Sequence, residues 1–348
     1  MSLRYLVSSF TRFGLEYQLP QADGPGSKHR ETFSIWSPKV QPGAGICFQE
    51  RSGVEIVVLV PELLEQLDCG GFKVRFRSAG SGPAVVFLHG LLGYSFSWRR
   101  VIPILASNST VFAVDMPGAG FCECRPDLDS RLASAAGRLI AFLDAAGIEC
   151  CDLVGSSYGG ATVALAARCA AERVRSLIMV APANPWSKIG QKRLALLRNP
   201  PIARLFPPAA RALGPLHWYF VRRMWGDGAR ITRETLHGYA LPLGRPGVFE
   251  QAVKTVRTWK ADMRELAAAL PKISGIPVLL VWGDKDRVVD PRSARAIKAL
   301  LPEAEVRMVA GAGHLPYDEC PEEFARIVEE FVGKVRSPDA APRRTAVT

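Results

Sequence analysis

The chain has 348 residues, 48% of them hydrophobic, with a net charge of +11. That length and apolar share allow a sizeable core and exclude overall disorder, and the absence of any run of about 18 uncharged apolar residues excludes a spanning helix. The N-terminus, MSLRYLVSSFTRFGLEY, lacks the apolar stretch of a secretory signal, so a cytoplasmic location is expected.

In chain order, residues 1–69 read as an N-terminal extension of undetermined structure. Its first fifty residues show no sustained periodicity, and 21–30 reads as flexible. A strand over 53–60 is ended by Pro61, and a short amphipathic stretch follows over 62–67. From Gly71 the pattern becomes regular. Residues 72–77 alternate apolar and basic as a half-exposed strand does, and 84–88 is an apolar run suited to a buried strand. A helix is predicted around 97–106, a strand over 110–114, a helix over 132–146 and a strand over 151–154. A helix over 161–170 and a strand over 174–180 come next. After 182 the rhythm stops until a strand at 276–282, a helix at 292–301, a strand at 305–309 and a last helix at 322–335. Alternating apolar strands and helices predict an α/β protein with a doubly wound, mainly parallel sheet, whose sites form at the carboxyl ends of strands.

This pattern divides the chain into a core over 70–182 and 263–335, a helical insertion over 183–262 and a disordered tail over 336–348. The insertion is rich in Arg, Pro and aromatics, and it holds 14 Lys and Arg against 4 Asp and Glu, a net +10. A basic segment carrying Trp218, Tyr219, Phe220 and Trp225 suits an apolar or anionic small-molecule substrate, or a peripheral contact with an acidic membrane surface. No nucleic-acid motif accompanies the charge, so no nucleic-acid partner is expected. The eight cysteines form no C-x-x-C pair and read as reduced packing residues, and neither a metal nor a cofactor is expected.

Chemistry concentrates in Gly155-Ser156-Ser157-Tyr158-Gly159. Small residues on both sides of Ser157 let a strand and a helix approach closely, which lifts the hydroxyl onto an exposed apex. The free N–H groups that open the helix would then stabilise negative charge on whatever Ser157 attacks. Chance alone places roughly 0.2 such pentapeptides in a chain of this composition, so the surrounding strand and helix carry the weight. A serine hydroxyl needs a base. Of the five histidines, His314 lies in Gly311-Ala-Gly-His-Leu-Pro316, directly after a late strand. The base in turn needs an orienting carboxylate, and the loop Trp282-Gly-Asp-Lys-Asp286 supplies two candidates, Asp284 and Asp286.

With His89-Gly90 and Gly93 upstream, these motifs resemble those of the α/β-hydrolase superfamily in order and spacing, over about 70–335. The insertion matches that family's cap in position. The resemblance implies that Ser157 is the nucleophile and His314 the general base. It implies Asp286 as the orienting acid, since it occupies the family's G-x-x-D position, with Asp284 as the second candidate. It also implies an oxyanion hole formed by the backbone N–H groups of Leu91 and Tyr158, and a structural role for His89. Ser156 stands where many relatives carry a larger residue, and Ala119 where His is common. A serine at 157 speaks against relatives that use a carboxylate nucleophile. The implied activity is ester hydrolysis through an acyl-enzyme; the alternatives are hydrolysis of a carbon–carbon bond in vinylogous diketones, and ligand sensing with little turnover.

Overall fold

The computed structural model describes residues 64–337, except 190–194, 213–214 and 274, together with two short strands further upstream. All of them lie in the unit Gln41–Thr348. The upstream strands, β1 (Ile46–Gln49) and β2 (Glu55–Val58), pair antiparallel. The flexible reading of 21–30 and the tail beyond Ser337 lie outside the described residues.

Eight strands make the main sheet: β3 (Glu65–Asp68), β4 (Lys73–Ala79), β5 (Ala84–Leu88), β6 (Thr110–Asp115), β7 (Cys151–Ser156), β8 (Val174–Val180), β9 (Val278–Gly283) and β10 (Glu305–Val309). Their order is β10-β9-β8-β7-β5-β6-β4-β3. From β10 through β6 every pairing is parallel, while β4 and β3 close one edge antiparallel. The sheet is thus mainly parallel, and side-chain alternation sends successive residues to opposite faces. Val86, Leu88, Leu153, Leu177, Met179, Leu280 and Trp282 fill one core with helices α2 (Leu132–Ala145), α3 (Tyr158–Cys169) and α8 (Ala294–Leu300). Val85, Phe87, Val154, Ile178, Val180, Leu279 and Val281 fill the other with α1 (Ile102–Leu105) and α10 (Pro321–Arg336). Both faces are covered, as in a doubly wound fold.

Three local expectations differ. The stretch 62–67, read as part of the extension, contributes strand β3 to the main sheet. Gly70 and Gly71, at φ 67° and 86°, make the two-residue turn joining it to β4, and Asp68 Oδ1 accepts the Gly71 N–H at 2.9 Å. The helix predicted over 97–106 splits into a 3₁₀ turn (Ser95–Trp98) and the one-turn α1, because Pro103 has no N–H and is tolerated only in a first helical turn. Residue 262, the expected end of the insertion, falls inside a continuous helix.

Between β8 and β9 come α4 (Pro200–Ala212), α5 (Pro215–Met224), α6 (Arg233–Ala240) and the long α7 (Val248–Ala269). The first half of α7 packs against the inserted helices, with Phe206 and His217 both meeting the Phe249 ring at about 6 Å between centroids. Its second half joins the sheet's core through Met263, Leu266 and Ala269. No helix of the described residues is long and apolar enough to cross a membrane.

Candidate active site

The chain leaves β5 for β6 on one side, then returns to β7 on the other, so the loops after β5 and β7 diverge at their carboxyl ends and open a crevice between them. Ser157 stands at that point, directly after β7 and as the residue capping α3. Its backbone is left-handed, φ 54° and ψ −117°, a conformation rare for a residue with a side chain. The surroundings hold it there: Ser157 N–H donates to Val180 O at 2.9 Å, and Ser157 O accepts from Ala161 at 3.2 Å and Ala183 at 2.8 Å. The flanking glycines are sterically required. A Cβ on Gly155 would lie 2.3 Å from Gly159 O, and one on Gly159 would lie 2.3 Å from His89 O.

Leu91 and Tyr158 come close to this apex by different routes. The Tyr158 amide is the first of α3 and has no carbonyl four residues back within the helix. Leu91 lies in a turn closed by Gly93 N–H to Gly90 O at 3.0 Å, with Leu92 at φ 62°. That turn packs on the nucleophile candidate, since a Cβ on Gly90 would sit 3.1 Å from Ser157 Cβ. His89 pins the turn from behind. Met116 N–H donates to its Nε2 at 3.2 Å, which puts the ring proton on Nδ1, 2.8 Å from Gly90 O. Burial lowers its pKa, outweighing the nearby Asp115 carboxylate.

On the other side of Ser157, the loops after β9 and β10 meet. His314 Nδ1 lies 2.8 Å from Asp286 Oδ2, with both side chains essentially inaccessible. Asp286 Oδ1 accepts the N–H groups of Val288 (2.7 Å) and Val289 (3.0 Å). This arrangement gives the proton to Nδ1 and leaves Nε2 as the free base. Asp284 does something else: its Oδ1 accepts the Gly311 N–H at 2.7 Å, tying the two loops at an exposed position. The structure therefore joins His314 to Asp286 and sets Gly90, the neighbour of Leu91, against Ser157, with Tyr158 next to it in the chain. Among the described residues no hydrogen bond joins Ser157 Oγ to the imidazole.

Sequence reading missed the support behind His314. In α9 (Pro316–Glu319) all four residues are buried. The Tyr317 ring packs tilted against Trp98, 4.2 Å between centroids, and its hydroxyl donates to Ser156 Oγ at 3.1 Å, which explains the small residue beside the nucleophile candidate. Asp318 lies within 3.3 Å of Arg99 and Arg100 and accepts Tyr239 OH from α6 at 3.0 Å. Glu319 takes Gly313 N–H on Oε1 at 2.6 Å, and Gly226 (2.9 Å) and Asp227 (3.3 Å) on Oε2. Burial raises its pKa against these three amides. His314 N–H itself donates to Met224 O at 2.6 Å.

A sequence profile of the alpha/beta hydrolase family matches residues 85–327, from β5 into α10. The chain belongs to the alpha/beta hydrolase family. By class it is a hydrolase. It is 27% identical to a pimeloyl-[acyl-carrier protein] methyl ester esterase of Aeromonas hydrophila, over 75% of this chain and 100% of that one. It is also 27% identical to a 2-hydroxymuconate semialdehyde hydrolase of a Pseudomonas species, over 79% of this chain and 95% of that one. Among solved structures, a bacterial membrane phospholipase A superposes with a TM-score of 0.65 at 25% identity, covering 79% of this chain and 86% of the other.

Proposed function

We propose that the protein is a serine hydrolase that cleaves an ester of a largely apolar substrate through an acyl-enzyme. The observation that carries this reading is the 2.8 Å contact between buried His314 and Asp286 at the end of the sheet that also presents Ser157 on its left-handed turn. In the mechanism, Ser157 Oγ attacks the carbonyl carbon as His314 Nε2 takes its proton. Asp286 holds the imidazole in the correct tautomer and stabilises the imidazolium. The amides of Leu91 and Tyr158 receive the developing oxyanion, an effect worth roughly 10²–10³ in rate for each donor. His314 then protonates the departing alkoxide, and water, deprotonated by the same imidazole, releases the acid.

A second reading, hydrolysis of a carbon–carbon bond in a vinylogous diketone, keeps the same residues and is favoured by the similarity to the semialdehyde hydrolase. Turnover of p-nitrophenyl esters of increasing acyl length, beside a vinylogous 1,5-diketone, separates the two. Ester turnover that is lost in Ser157→Ala is the expected result. Diketone cleavage without ester turnover would transfer the assignment to the second reading, and neither activity from the folded protein would overturn both.

A further inference from the structure

A cavity opens beside the Ser157 turn, between the loops after β5 and β6 and the helices α2, α3 and α7. Its walls include Leu91 and Tyr158, the two residues whose amides face the carbonyl in the reading above, on which this inference rests. The far wall is polar: Ser130, Arg138 and Gln251.

That wall has donors without acceptors. Gln251 Nε2 donates to Ser130 Oγ at 2.7 Å, leaving the Ser130 hydroxyl with its own proton to give. Thr162 and Thr255, which also line the cavity, already donate to the helix carbonyls of Tyr158 (2.9 Å) and Gln251 (3.2 Å). Arg138 is the one charged residue of the lining, and no carboxylate accompanies it. Its Nε is buried without a hydrogen-bond partner, and it forms no ion pair among the described residues. The acid whose charge reaches it, Asp129, is held by Arg131 at 2.7 Å and Ser134 at 2.6 Å. The Arg138 side chain is half-buried, with its guanidinium centre 5.8 Å from the Phe72 ring, and the buried Nε is the donor that an anion in the cavity would satisfy.

We propose that this cavity receives the free carboxylate of a dicarboxylic half-ester, carried on the acyl part of the substrate, with Arg138 and Ser130 as its donors. Topology places the carboxylate on the acyl side. His314, which protonates the leaving group, stands on the β10 side of Ser157, whereas the cavity lies on the β5 and β6 side and His314 does not line it. The group in the cavity is therefore the one that stays on the enzyme. A planar fork and one hydroxyl match the two oxygens of a carboxylate.

The test compares p-nitrophenyl half-esters of succinate, glutarate and adipate with neutral p-nitrophenyl esters of equal acyl length. The half-ester preference in kcat/KM is expected to fall ten- to a hundred-fold in Arg138→Gln, through KM, and to return in part in Arg138→Lys. A preference unchanged by Arg138→Gln, or absent from the wild type, would overturn the inference while leaving the ester reading intact. Calorimetric titration of Ser157→Ala with free adipate, and then with inorganic phosphate, reads the cavity without turnover. Adipate binding that disappears in Ser157→Ala/Arg138→Gln supports the carboxylate site even if the ester reading fails. Tighter binding of phosphate would overturn the carboxylate assignment.

Discussion

Asp286 divides its carboxylate, one oxygen for two backbone amides and the other for His314 Nδ1. Replacing it by Asn keeps the shape but offers the imidazole an N–H or a carbonyl in place of a charge, which disturbs the tautomer. Asp286→Asn should therefore lower kcat by roughly 10⁴. Asp284→Asn, at an exposed tie to Gly311, should change kcat less than tenfold. Steady-state kinetics of the two variants checks this, and the reverse ranking would move the acid by two positions. Both carboxylates were visible in the sequence and the G-x-x-D position pointed to Asp286, but which one reaches His314 depends on how the loop after β9 folds on the loop after β10. Two residues of spacing do not settle that.

His89 gives a second residue-scale prediction. With Met116 N–H donating to Nε2, the ring must be neutral in the native state, and burial holds its pKa below the usual 6.5. The native state then binds fewer protons than the unfolded chain between those two values. The stabilisation is fully present above about pH 6.5 and is lost as pH falls through the folded pKa. The gap in thermal midpoint between wild type and His89→Gln should be wide at pH 8 and narrow toward pH 5. A gap that widens on acidification would contradict the neutral ring.

At the scale of elements, the loop bearing His314 and the segment between α5 and α6 dock backbone to backbone. A Cβ on Gly226 would lie 2.4 Å from Gly311 O, and one on Gly313 would lie 2.4 Å from Met224 O. Glu319 binds both partners of that contact through three amides. Glu319→Gln offers one acceptor oxygen where there were two and brings an N–H group toward donors. It should cost about 1–3 kcal/mol, lower the thermal midpoint and reduce kcat together. An unchanged midpoint with unchanged kcat would show that the brace is dispensable. Nothing in the sequence marked Asp318 and Glu319 for burial, because two acids ahead of an amphipathic helix read as its solvated first turn. Strands β5, β8 and β10 were legible to the residue, β5 as an uninterrupted apolar run and the other two as short β-branched and apolar stretches between helices. β3 was not, since the stretch before its turn signal, Gly70-Gly71, is too short and polar to read as a strand.

At the scale of the molecule, the sheet's reversal between β5 and β7 decides where everything sits. It puts the amides of Leu91 and Tyr158 and the Arg138 cavity on one side of Ser157, and His314 with Asp286 on the other. The helices between β8 and β9 complete the arrangement: α7 walls the cavity through Val248, Gln251, Ala252 and Thr255, and the segment from Met224 to Asp227 clamps the loop bearing His314. Composition had marked this insertion as basic and aromatic, and the structure leaves Trp218, Tyr219 and Phe220 exposed while burying Trp225, a division composition did not show. Its bracing of His314 was beyond sequence reading, because the contacts are made by backbone groups that any sequence carries. The central claim, that this architecture activates Ser157, is tested most directly by a fluorophosphonate probe and intact-mass analysis of wild type, Ser157→Ala and His314→Ala. A single adduct on wild type, mapped to Ser157 and absent from both variants, is the predicted result; an equal adduct on Ser157→Ala, or none on the folded wild type, would contradict it.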